Sequence, residues 1–391
     1  MLEDFLKYQA KTTPSPLGLE IEHAKGSYLF DPKGKSYLDF VAGVSALPLG
    51  HSHPRVVSAL KAQIEKYMHV MVYGEFAQEP AVALCKKLVT LLPKNHEVIY
   101  LTNSGTEAIE GALKLAKRVT NRSGLIAAHR SYHGSTHGAL SLLGNENQKK
   151  GYRPLLPGVR FLQFNEKNDL KQIDENTAAV LLETIQGGAG FIIPEDDYLK
   201  KVKTRCEKVG ALLLLDEIQP GFGRTGKMFG FEHFDVDPDI IVMGKALGGG
   251  LPIGAFSASK KLMQKLEDQP KLGHITTFGG NPVIATAALT TINEIISENL
   301  IQQIDKKERI FRQNLEHPMI KSIQGKGLML APIFERHQTP DFLVHRCLEK
   351  GLLLFWLLWE KNAIRISPPL NISEKEIVMG CQIIKETLDE I

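Results

Sequence analysis

The sequence predicts an α/β fold built on a mostly parallel sheet with helices on both faces. Three observations carry this. Short apolar runs recur through the middle of the chain, at residues 98–101, 178–182, 211–215 and 240–243. They alternate with stretches of helical periodicity, as strand–helix–strand units require. The runs show no polar alternation, the mark of strands buried on both faces. With 391 residues and 43% hydrophobic content, the chain exceeds one ordinary core, so two domains are expected.

The elements follow in order. Residues 27–30 and 36–39 flank Asp31-Pro32-Lys33-Gly34-Lys35 and predict a hairpin in an N-terminal segment, 1–49. The region 50–282 holds the alternating strands and helices. The run 98–101 leads through Thr102-Asn103-Ser104-Gly105-Thr106-Glu107 into a stretch whose Ala108, Ile109, Ala112, Leu113, Leu115 and Ala116 give one apolar face. A helical stretch around 283–289 opens a C-terminal α+β region, 283–391.

Four strand ends carry chemistry, because ligands of open α/β sheets bind beyond the carboxyl ends of the strands. Lys245 follows 240–243 and precedes a glycine cluster, Gly248-Gly249-Gly250. A lysine held away from water is costly and suits an amine nucleophile such as a Schiff-base lysine. Snorkelling to solvent is the plainer alternative. Asp216 ends the four-leucine run 212–215, and Glu183 ends 178–182 before a glycine-rich loop. Ser104-Gly105-Thr106 enters a helix, where free N–H groups make an anion site; Ser104 with Glu107 also reads as a capping box. A lysine amine, a buried acid and an anion site together suit pyridoxal 5′-phosphate, whose general pattern is a Lys Schiff base with an Asp on the ring nitrogen.

These residues resemble the class III (subgroup II) pyridoxal-phosphate aminotransferases, the group of the acetylornithine, ornithine and 4-aminobutyrate enzymes. The resemblance runs from Tyr37-Leu38-Asp39-Phe40 and Gly50-His51-Ser52-His53-Pro54 to Ile364-Arg365-Ile366-Ser367-Pro368-Pro369. It is densest at residues 215–226 with Gly244-Lys245. It implies the type I transferase fold, with a large domain on a mostly parallel seven-stranded sheet and a smaller α+β domain from both termini. It further implies that Lys245 holds the cofactor and later moves a proton, with Asp216 on the pyridine nitrogen. Gln219 is placed near the phenolic oxygen, Ser104, Gly105 and Thr106 on the phosphate, and Tyr132 stacked on the ring. His133 and Glu183 join the cofactor set. Thr277 would reach the phosphate of a neighbouring subunit, giving a homodimer with shared sites. Arg365 would bind the carboxylate of a 2-oxo acid, by resemblance 2-oxoglutarate. The implied activity is amino transfer in two half-reactions. An aminomutase, racemase or decarboxylase on the same fold, or a non-catalytic ligand-binding relative, is the alternative.

The sequence departs from the family at two positions. Ser135 stands where ornithine-type enzymes usually carry arginine, and Gly188 where many carry a glutamate that shields the arginine matching Arg365. Both departures speak against a basic donor such as ornithine. The apolar segment 355–359 reads first as core of the smaller domain; a ring lining the site would instead fit a less polar amine.

Other classes are weaker. Gly221-Phe222-Gly223-Arg224-Thr225-Gly226 spells a dinucleotide fingerprint, but it neither follows a strand directly nor opens a helical pattern. His51, His53, His129 and His133 have no ligand-spaced Cys or acid, so no metal site is expected. A net charge of +3, from 47 basic and 44 acidic residues, gives no electrostatic case for nucleic acid or a membrane surface. The scattered Cys85, Cys206, Cys347 and Cys381, with no apolar signal core at the start, suit the cytoplasm.

Overall fold

The computed structural model describes residues 1–391. Its strands are β1 (His23–Lys25), β2 (Tyr28–Phe30), β3 (Ser36–Asp39), β4 (Val98–Thr102), β5 (Gly124–Ala128), β6 (Val159–Leu162), β7 (Thr177–Glu183) and β8 (Leu212–Asp216). They continue with β9 (Ile240–Gly244), β10 (Gly254–Ala258), β11 (Ile320–Lys326), β12 (Met329–Phe334), β13 (Leu352–Leu353), β14 (Phe355–Trp356) and β15 (Ile364–Arg365). Seven form one sheet in the order β4-β10-β9-β8-β7-β5-β6. Only β10 runs against the rest.

The apolar runs behave as two-sided strands. Val180, Leu182, Leu213, Leu215, Ile241 and Met243 belong to one core cluster, and Ala179, Leu181, Leu214 and Val242 to another on the opposite face. Burial on both sides removes any reason for polar alternation. Helix Gly105–Thr120 buries Ala108, Ile109, Ala112, Leu113, Leu115 and Ala116, the face the periodicity predicts. Register then levels the strand ends: Glu183 pairs with Asp216, and Asp216 with Val242. The four polar strand ends therefore open at one edge of the sheet.

The smaller α+β part draws on both termini. The predicted hairpin forms, with Tyr28 opposite Leu38, and β13 adds to β3 in parallel. The fingerprint-like glycines make no dinucleotide turn. Arg224 among them is buried and donates to the carbonyls of Leu328, at 3.1 Å, and Pro368, tying this turn to the C-terminal region. No helix is long and apolar enough to cross a membrane.

Candidate active site

A cavity of about 470 Å³ lies over the level strand ends. Lys245, Asp216 and Glu183 form its floor. Lys245 follows β9 with φ at 45°, a left-handed conformation that is uncommon outside glycine. Such strain tends to persist where function holds it. Burial, and after it the nearby Arg365 charge, lowers the Lys245 amine to about 8 against the opposing pull of Asp216 and Glu183. A lowered amine suits a nucleophile better than a lysine reaching freely to solvent.

The acids are held by different partners. Asp216 accepts the Ile218 N–H at 3.0 Å, and its other oxygen meets His133 Nδ1 at 2.8 Å. Glu183 accepts the N–H groups of Tyr132 at 3.2 Å and Gly187 at 3.0 Å. Burial pushes the Glu183 carboxyl up to about 7. The adjacent Glu217 points away, accepting from Thr184, Gly230 and Phe231. Of the two neighbouring acids, one serves the cavity and the other fixes a turn.

One end of the cavity is the start of helix Gly105–Thr120. The N–H groups of Gly105 and Thr106 have no acceptor in the protein, as expected for a first turn that presents donors to an anion. A Cβ at Gly105 would lie 2.8 Å from Ile218, and one at Gly134 would collide with the Thr106 hydroxyl, so both glycines keep this end open. Ser104 differs from its expected place. It does not line the cavity; its hydroxyl accepts the Glu107 N–H at 3.3 Å. Only that half of the capping box forms, because the Glu107 carboxylate turns to Asn103 N–H at 2.8 Å. The Thr106 hydroxyl meets Thr136 at 2.7 Å, and Thr136 in turn donates to Glu110.

Tyr132 and Gln219 line the walls. The Tyr132 hydroxyl lies 3.2 Å from Ser135, and Gln219 donates to Ser45 at 3.3 Å. Ser45 belongs to a feature that sequence reasoning missed. Ala42, Gly43, Val44 and Ser45 are all left-handed, at a cost of roughly 1–2 kcal/mol per non-glycine residue. Asp39 holds this turn by accepting from Val41 at 2.8 Å and Ala42 at 2.9 Å, and is itself bound by His51 at 2.9 Å. Val44 reaches the cavity wall. Nothing in the run Val-Ala-Gly-Val-Ser signals this conformation.

The roof corrects the reading of residues 355–359 as plain core. Leu357 is buried, but Phe355, Trp356 and Leu358 line the cavity. Two-residue strands cannot impose full burial, and β14 pairs only with β15, setting Phe355 opposite Arg365. Arg365 lines the same cavity and is 5% exposed. Its Nε and Nη1 have no hydrogen-bond partner, and its guanidinium lies 6.0 Å from the centre of the Phe191 ring. Burial lowers it to about 10, so it remains a cation at neutral pH.

Thr277 is not brought into this cavity; it is exposed on a loop elsewhere. The histidines are engaged singly: His51 with Asp39, His133 with Asp216, and the His129 ring against Phe161. The fold does gather His53, Glu294 and Glu298, which sequence spacing could not show, but Glu294 is already paired with Arg55 at 3.2 Å.

The donor set fits pyridoxal 5′-phosphate: free N–H groups for the phosphate, Asp216 for a ring nitrogen, and a lysine lining the same cavity. The comparisons agree. The chain is 38% identical to the acetylornithine aminotransferase of Caldanaerobacter subterraneus subsp. tengcongensis, over 94% of each chain. It is 36% identical to the ornithine aminotransferase of Oceanobacillus iheyensis, over 95% of this chain and 94% of that one. The solved structure of the Toxoplasma gondii ornithine aminotransferase, with PLP at partial occupancy in its active site, superposes with a TM-score of 0.92 at 29% identity, covering 100% of this chain and 95% of that chain. The model of the family described as Aminotransferase class-III matches residues 8–388, and the chain belongs to that family: it is a pyridoxal-phosphate-dependent aminotransferase.

Proposed function

We propose that this enzyme moves an amino group from its donor to a 2-oxo acid, 2-oxoglutarate in the first instance, with Lys245 as the central residue. The cofactor, when bound, supplies the electron sink for deprotonating the donor carbon. The residues of this chain do the rest. Gly105 and Thr106 hold the phosphate by their N–H groups, with Ser104 fixing the turn from behind. Tyr132 supports the ring face and Gln219 the oxygen edge. Asp216, oriented by His133, keeps the ring nitrogen protonated, and Glu183 braces Tyr132 and the 187–190 loop. Lys245, once free, is the base beside the reacting carbon. A neutral amine is needed there, and burial supplies one near pH 8.

The observation that carries this reading is the placement of Lys245, just past the end of β9, in one cavity with Asp216 and Glu183. Borohydride reduction and peptide mapping should place the cofactor on Lys245; label on another lysine would overturn it. Arg365 anchors the 2-oxo acid carboxylate. Ser135 supplies only a hydroxyl, and Gly188 no acid, so ornithine and acetylornithine are expected to be poor donors. A donor panel against wild type and Ser135→Arg tests this; acetylornithine as the best donor by a wide margin would refute it.

The proposed assembly is a homodimer with shared sites. Loops 68–76 and 271–281 are joined by Asn281 donating to the Met68 carbonyl at 3.0 Å. Together they expose Met68, Phe76, Leu272 and Phe278, a patch that suits an interface. Thr277 lies within it and would reach the partner's phosphate site. Mixing Lys245→Ala with a bulky Thr277 variant should restore activity in heterodimers; verified heterodimers without activity would count against sharing. We also propose domain limits at 1–49, 50–282 and 283–391, and a cytoplasmic setting suited to four unpaired cysteines.

A further inference from the structure

We propose that the amino donor is itself an α-amino acid with an apolar side chain, its carboxylate bound by the same Arg365 that anchors the 2-oxo acid. The inference rests on the reading of Arg365 as the acceptor's anchor.

The first support is the state of Arg365. It is buried, two of its nitrogens have no partner, and no acid pairs with it. Glu183 and Asp216 are held by their own donors on the floor. A buried guanidinium with unmet N–H groups is costly, and a carboxylate meets two of them at once.

The second support is that no resident acid can enter from the adjoining loop. Phe191, under the guanidinium, lies three residues after Gly188. The Trp359 N–H donates to the Gly188 carbonyl at 2.8 Å. A Cβ at Gly188 would lie 3.0 Å from Trp359 Nε1 and 3.3 Å from Leu358 Cβ. Arg130 reinforces this closure by bridging the Ala189 carbonyl at 3.1 Å and Glu360 at 3.0 Å. The strap therefore crowds position 188, where glycine carries no acid, and any larger residue there has to push the strap outward. Arg365 stays open in both half-reactions, and a donor without a carboxylate leaves it unpaired in one of them.

The third support concerns the rest of the donor. Phe355 stands opposite Arg365 across β14 and β15, and Trp356 and Leu358 share the cavity. Apart from Arg365, its charged lining is Lys245, Asp216 and Glu183, all on the floor, with His133 turned to Asp216. No unengaged acid awaits a basic side chain, and the rings beside Arg365 offer contact to an apolar one.

The reaction balances within the two substrates. The donor α-carbon loses a proton and two electrons with its amino group and becomes a carbonyl by hydrolysis. The acceptor carbonyl carbon gains the amino group, the same two electrons and a proton, releasing the water. The expected product is an apolar 2-oxo acid.

Matched donors test this on the holoenzyme. L-Phenylalanine against 2-phenylethylamine, and L-leucine against 3-methylbutylamine, differ only in the carboxylate. The amino acids should convert the cofactor to its amine form about ten- to a hundredfold faster in kcat/KM. That ratio should fall to about 1 in Arg365→Gln and drop below the wild-type value in Gly188→Glu. Amines matching the amino acids in the wild type would overturn the proposal, as would an unchanged ratio in Gly188→Glu. If Arg365→Gln leaves the 2-oxoglutarate half-reaction intact, the anchor reading itself fails. Binding gives a second readout. The two tryptophans of the chain, Trp356 and Trp359, both lie on the strap. 3-Phenylpropionate should change their fluorescence saturably, and 3-phenylpropanol should not. The reverse result would also overturn the proposal.

Discussion

The floor and the roof of the cavity are built on opposite principles. The floor is a row of strand ends in a sheet buried on both faces, and its acids are tightly partnered: Asp216 by His133 and Ile218, Glu183 by Tyr132 and Gly187. The roof is a strap with two-residue strands, carrying aromatic rings and an arginine with unmet donors. Preorganised groups suit chemistry that is the same for every substrate. Unmet groups suit recognition, because the substrate completes them. The difference assigns the reaction to the floor and the choice of donor to the roof.

The sharpest way to break that division is at the floor. Asp216→Asn keeps the shape but removes the charge facing His133. Removing one partner of a buried pair costs about 3–5 kcal/mol, or roughly two to four powers of ten. The loss is expected in kcat of both half-reactions, with the donor preference ratio unchanged. Single-turnover kinetics with two donors checks both. A changed preference with intact kcat would put Asp216 in recognition and undo the contrast.

The same contrast explains what was legible in the sequence. A strand buried on both faces leaves an unbroken apolar run, so a single charge at its end is conspicuous; Lys245, Asp216 and Glu183 all stood out that way. The helix start after β4 was marked by Ser104 and Glu107, though the bonding differs, since Glu107 found the Asn103 N–H closer to hand. The roof left no such trace. Phe355, Trp356 and Leu358 are the residue types of a core, and only the pairing of β14 with β15 turns them to the cavity. The left-handed turn 42–45 was also invisible, because Asp39 and His51 impose it from outside the segment. Long-range bonds, unlike periodicity, leave no local signature.

A gentler test uses pH. Burial, then the charge of Arg365, lowers the Lys245 amine from 10.5 to about 8. Between those values the unfolded chain holds the proton and the folded chain does not, so this group's contribution to stability grows as pH rises through that window. Reaction of cofactor-free protein with pyridoxal 5′-phosphate should accelerate with pH along a titration near 8. Arg365→Gln should move the midpoint upward, because one source of repulsion is gone. A midpoint that stays put would mean that floor and roof are electrostatically independent. A wild-type midpoint near 10.5 would remove the buried amine from the account altogether.

The smallest expected effect lies at the seam where the roof meets the floor. Gly188→Ala adds one carbon at 3.0 Å from Trp359 Nε1 and 3.1 Å from Trp359 Cδ1. Overpacking of this kind typically costs about 1–3 kcal/mol. The lower end is expected here, because Trp359 is held by a single backbone bond to Gly188 and Leu358 is exposed, so the strap can shift outward. The floor does not depend on that shift. The change should therefore raise KM for large apolar donors a few-fold, alter tryptophan fluorescence, and leave kcat and the rate of cofactor capture by Lys245 as they were. Thermal denaturation with and without cofactor separates the strap's loosening from any wider loss of structure. If kcat falls as far as KM rises, the strap also positions the reacting groups, and the assignment of chemistry to the floor alone is wrong.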